Sequence, residues 1–95
     1  MSEAPAVTVT ALGGSTYQVG VRSAGASTSH TVAVPAGLAD QWGWGQAAEA
    51  DLVRESFAFL LEREPSTSIL RTFSLDVIGR YFPEFPAEIR LRRRG

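Results

Sequence analysis

One histidine, ten carboxylates, nine basic residues that are all arginine, and two tryptophans are the side chains from which this 95-residue chain could build chemistry. Cysteine is absent, which excludes disulfides, thiolate metal sites and cysteine nucleophiles. A single histidine excludes a multi-histidine metal centre. His30 is the one side chain that ordinarily titrates near neutrality. As a general base it would need an orienting partner within hydrogen-bond reach, and a pocket. Its neighbours Ser29 and Thr31 fall on the opposite face of any strand that contains it. The sequence therefore assigns His30 to a partly buried position, bonded to a carbonyl or a water. It names no catalytic residue.

The carboxylates are concentrated in Glu49, Asp51, Glu55, Glu62 and Glu64. Their spacing follows a solvated helix surface, with Arg54 and Arg63 interleaved, and not a paired acid–base site or a hard-cation cage. No EF-hand pattern occurs. Gly13-Gly14 lacks the helix and lysine of a phosphate loop, and Gly43 and Gly45 lack a third glycine. No nucleophile elbow frames a serine. Neither a metal nor a cofactor is expected.

The run Arg90-Leu91-Arg92-Arg93-Arg94 offers Arg90, Arg92, Arg93 and Arg94 as candidate phosphate contacts, each adding a salt-dependent increment. Against this, the net charge is −1, the run is terminal, and no stacking aromatics are interleaved with it. Charge is polarised along the chain. Residues 1–64 carry three arginines and seven acids, for −4; residues 65–95 carry six arginines and three acids, for +3. The arginine run can thus dock on the acidic helix, or residues 92–95 can fray as a tail.

Trp42 and Trp44, each followed by a glycine, share one side of an extended segment. Tryptophan is enriched at interface hot spots and is also the largest core filler. The same ambiguity holds for Leu52, Phe59, Phe82 and Phe85. These six form the candidate protein interface.

Positioning these residues requires a definite set of elements. Residues 6–12, 16–22 and 28–34 alternate between apolar and polar, with Gly13-Gly14-Ser15 and the Gly25 region as turns. The pattern predicts a three-stranded antiparallel meander with one wet face. Val7, Val9, Tyr17, Val19, Val21, His30, Val32 and Val34 belong to the inner face. Residues 46–64 read as the central helix, stopped by Pro65. Its stripe of Ala50, Val53, Phe57, Leu60 and Leu61 covers the sheet. Leu52 and Phe59 lie roughly opposite that stripe and need a second cover. Short turns or helices follow: one from the Ser66-Thr67-Ser68 caps through Ile69, Leu70 and Phe73, one from Leu75 to Phe82, and one from Ala87 to about Arg92.

The expected fold is a single α+β domain over residues 1–95. Its meander is followed by a central helix and short C-terminal helices packed on one face. No apolar run approaches the roughly 20 residues of a membrane span. The first residues lack the basic start and apolar stretch of a signal peptide, so the expected setting is cytoplasmic, with no membrane contact. The order of elements is shared with small antitoxin-type and adaptor domains, an analogy of fold that carries no function. The leading expectation is a non-enzymatic protein-interaction module, binding a protein partner or a second copy of itself as a homodimer. The alternatives are a nucleic-acid-associated regulator working through the arginine run, and an accessory subunit of an enzyme.

Overall fold

A computed structural model of the chain describes residues 6–23, 25–45 and 48–92. The alternation in the first third folds as the pattern requires. Strands β1 (Ala6–Gly13), β2 (Thr16–Ser23) and β3 (Ala26–Ala33) pair antiparallel in sequence order. The β1–β2 loop is the two-residue turn Gly14-Ser15, both at φ 60°. That left-handed pair twists the hairpin in the same sense as its strands. Val9 lies opposite Val19, and Val19 opposite His30; Tyr17 lies opposite Val32. Tyr17, Val19, Val21, His30, Val32 and Val34 are buried, Val7 and Val9 half-buried, and Thr8, Thr10 and Gln18 exposed. The inner face is therefore the expected one.

A short helix α1 (Leu38–Gln41) follows Pro35 and the left-handed Gly37. The central helix α2 spans Glu49–Leu61, shorter at both ends than residues 46–64; positions 46 and 47 lie outside the described residues. Residues 62–64 leave the helix, and Arg63 closes its end: its Nη1 donates to the Phe59 carbonyl at 3.2 Å. Carbonyls of a last helical turn have no partner within the helix, so such a cap satisfies one of them.

A fourth strand, β4 (Thr72–Ser74), pairs parallel to β3, with Val32 opposite Phe73. The sequence pattern predicts a short turn through Ile69, Leu70 and Phe73 here, and the extended strand replaces the end of it. Two parallel neighbours need a long crossover, and α2 supplies it. The sheet order is β1-β2-β3-β4. A 3-10 turn at Leu75–Val77 leads into α3 (Ile78–Tyr81), and α4 (Phe85–Arg92) ends the described chain. Ser74 precedes the 3-10 turn without making a side-chain cap bond. Among the described residues no helix is long and apolar enough to cross a membrane.

The core has two compartments divided by α2. On the sheet side Phe57 packs against His30 at 5.3 Å and Phe73 at 6.0 Å between ring centroids. On the other side Phe59 meets Phe85 at 4.8 Å and Phe82 at 5.7 Å, edge to face. Leu52, Phe59, Phe85 and Ile89 are fully buried. The second apolar patch of the central helix is thus covered by the chain's own C-terminal segment. The tryptophans lock that cover in place. Trp42 packs edge-on against Phe85 at 5.2 Å, and the Trp44 indole N–H donates to the Ile89 carbonyl at 3.0 Å.

Phe59→Ala should lower the unfolding free energy by about 3–5 kcal/mol, as for a fully buried phenylalanine. Leu91→Ala, at a residue that is 79% exposed, should change it by less than about 0.5 kcal/mol. Urea denaturation of the two variants checks the assignment of Phe59 to the core.

Candidate interaction site

Of the six residues expected to form an interface, Trp42, Trp44, Leu52, Phe59 and Phe85 are buried inside the chain. They cannot serve as free surface while the C-terminal helices are in place. The sequence could not reveal this, because the partners of Trp42, Trp44 and Phe59 are 23 to 45 positions away. Phe82 alone is half-buried. It lines an apolar groove of about 400 Å³ with Leu60, Ile69, Leu70, Phe73, Val77, Ile78 and Tyr81. Leu70 and Tyr81 stand at the groove 51% and 68% exposed. Glu64 lies on its wall, with its carboxylate in no ion pair among the described residues. The sequence expectation named neither Leu70 nor Tyr81 as surface, because a short turn through Ile69, Leu70 and Phe73 and a helix over residues 75–82 do not fix which of their apolar side chains face outward. In the structure β4 interrupts that stretch and turns Leu70 outward.

The arginines have defined partners. Arg92 Nη2 reaches both Glu62 carboxylate oxygens, at 2.7 and 2.8 Å, with Glu55 and Glu88 each 3.9 Å from the guanidinium. Its Nε is buried without a hydrogen-bond partner. Arg90 donates to the Gln41 carbonyl at the end of α1. Arg92 is therefore docked against Glu62, just past the end of α2, and Glu55 on that helix, and does not fray. Arg93 and Arg94 lie outside the described residues. Arg63 stacks on the Phe59 ring, 3.6 Å from its centroid, and pairs with Glu62 and Glu84. The hydrogen bonding from Arg92 Nη2, opposed by partial burial and aided by the charges of Arg92 and Arg63, holds the Glu62 carboxyl below its ordinary pKa.

His30 is 2% exposed. Its Nδ1 lies 2.8 Å from the Leu70 carbonyl, which can only accept, so Nδ1 carries the proton. In the neutral ring Nε2 then accepts from the Thr28 hydroxyl, 2.9 Å away. Both ring nitrogens are thus occupied in tying β3 to the approach to β4. Glu49, expected on the solvated face, is instead 6% exposed. The Tyr17 hydroxyl donates to its Oε1 at 2.8 Å and the Ser15 hydroxyl to its Oε2 at 3.3 Å. A carboxylate in the first turn of α2 also meets the positive end of the helix dipole. Burial, with the hydrogen bond to Glu49 and the negative charge behind it, pushes the Tyr17 hydroxyl up to about 12.

Among the described residues no group of three or more histidines and carboxylates is arranged to hold a metal ion. No protein-family model, curated protein or solved structure matches the chain.

Two titrations follow. An unfolded tyrosine ionises near 10, while Tyr17 stays neutral to about 12. Its contribution is present in full below pH 10 and is lost as pH rises from 10 to 12. Thermal melts over that window should fall steeply for the wild type and less steeply for Tyr17→Phe, which starts lower at pH 8; parallel curves would contradict the Tyr17–Glu49 bond. The Glu62 contribution has the opposite sign: present above its ordinary pKa of 4.5, it fades as pH falls. Arg92→Gln should move the Glu62 titration upward toward that ordinary value, read by carboxyl NMR.

Proposed function

We propose that this chain is a non-enzymatic, cytoplasmic interaction module of the adaptor type, whose groove beside β4 binds an extended or helical segment of another protein. The groove with exposed Leu70 and Tyr81 at its mouth is the observation that carries this reading. A patch of half-buried and exposed apolar side chains, gathered around a cavity rather than scattered, is the usual form of a peptide-binding surface. Its occupant carries one large apolar anchor for the cavity and an arginine or lysine for Glu64. The groove supplies apolar cover for the anchor, and the carboxylate of Glu64 supplies the opposite charge for the cation. The alternative of phosphate recognition by the C-terminal arginines is weakened by Arg92, whose guanidinium is committed to Glu62.

The reading is tested by selection from a phage-displayed random peptide library on the immobilised protein. Selected peptides should share an aromatic or large aliphatic residue close to a basic one. Leu70→Glu and Tyr81→Glu should each weaken the best peptide at least tenfold while leaving the melting temperature nearly unchanged, since both side chains are exposed. Glu64→Gln should remove the preference for the basic residue. Peptides without a common anchor, or binding that survives both groove variants, would overturn the proposal.

A further inference from the structure

Among the described residues, the sheet order leaves one flank of β1 without a neighbouring strand. Edge strands usually carry devices that block pairing with another chain: charge, proline, shortness, a bulge or a covering element. The opposite edge is protected by shortness, because β4 has three residues. β1 has eight, Ala-Val-Thr-Val-Thr-Ala-Leu-Gly, with no charge and no proline. Its one irregularity is a register shift near the end, between Ala11 and Gly13. Val7 and Val9 on the helix side are only half-covered, and Leu12 is 54% exposed.

We propose that β1 pairs antiparallel with β1 of a second copy about a two-fold axis through Val9, joining the two sheets into one of eight strands. The sequence of the strand favours its own copy as the occupant. An axis at Val9 sets Val9 against Val9, Val7 against Ala11, Thr8 against Thr10 and Ala6 against Leu12. Every pair matches in polarity, and the inner residues of one copy meet inner residues of the other, so both protomers keep their buried face. Val7 and Val9 gain apolar cover, threonine faces threonine on the wet side, and no charge meets its like. A net charge of −1 per chain adds little repulsion. Pairing uses up both long edges, so assembly closes at two. β4 and the groove beside it lie at the far ends of the joined sheet. The dimer is therefore bivalent, able to hold two segments of one partner at once.

The inference is independent of what the groove binds, and its test does not use the groove. Wild-type protein should sediment as a dimer, about twice the 10.2 kDa chain mass, at concentrations of tens of micromolar. The double variants Thr8→Lys/Thr10→Lys and Thr8→Glu/Thr10→Glu alter exposed side chains and should fold normally, by circular dichroism. Each alone should be monomeric, because like charges then face each other. An equimolar mixture should return to dimer, with each lysine opposite a glutamate. Because the chain has no cysteine, register can be read by cross-linking. Val9→Cys should form an intermolecular disulfide with itself under mild oxidation. Thr8→Cys and Thr10→Cys should do so only when mixed. A wild type that stays monomeric at several hundred micromolar, or charge variants that dimerise as the wild type does, would overturn the proposal. Self-cross-linking at Thr8 or Thr10 in place of Val9 would overturn the axis.

Discussion

The structure depends on α2 having both of its apolar faces covered at once. Phe57 and Phe59 are two positions apart, hence about 200° apart around the helix axis, and both are fully buried. One is covered by the sheet, the other by α3, α4 and the tryptophan loop. Covering a single large apolar side chain contributes roughly 1.5–3 kcal/mol, a sizeable share of the 5–15 kcal/mol that holds a domain together. A chain of 95 residues has little stability to spare, so neither cover is dispensable. This is why the C-terminal segment, which begins with short and irregular pieces, is pinned at so many points. Trp44 donates to Ile89, Arg90 to Gln41, and Arg92 to Glu62. Each bond joins α4 to an element far away in sequence.

The polar groups removed from solvent serve the same end. Glu49 sits in the first turn of α2 and receives hydroxyl donors from β2 and the turn before it. His30 ties β3 to Leu70, two residues before β4. The helix is thus fixed to the hairpin at its start, and the return of the chain to the sheet is fixed by the histidine. A buried polar group without partners costs free energy, whereas a satisfied one selects a single arrangement. With β3 and α2 so fixed, β4 lies beside β3, Leu70 faces outward, and the groove is formed.

The meander and its register were legible in the sequence because strand alternation is local: Val7, Val9, Val19, Val21 and Val32 each sit two positions from a like neighbour, with turn residues between strands. The central helix was legible for the same reason. β4 was not, because three residues carry no readable period and its partner residues are 41 positions earlier. The need for a second cover over Leu52 and Phe59 was legible. Its source was not, since helical spacing alone cannot distinguish the chain's own Phe85 from another chain's side chain. Glu49 read as a surface carboxylate because its partners, Ser15 in the hairpin turn and Tyr17 in β2, are brought to it only by the tertiary fold. The groove was missed for the reason that β4 was missed.

Native-state hydrogen exchange on Phe85→Ala tests the dependence on a doubly covered α2 most directly. Removing a fully buried ring from the C-terminal cover, about 15 to 35 positions after α2, costs about 3–5 kcal/mol. If α2 needs both covers, the slowest amides of β2, β3 and α2 should lose protection together, each by about a hundredfold or more. If only the amides of α3 and α4 lose protection while those of β2, β3 and α2 keep theirs, the C-terminal segment is an appendage and the account is contradicted.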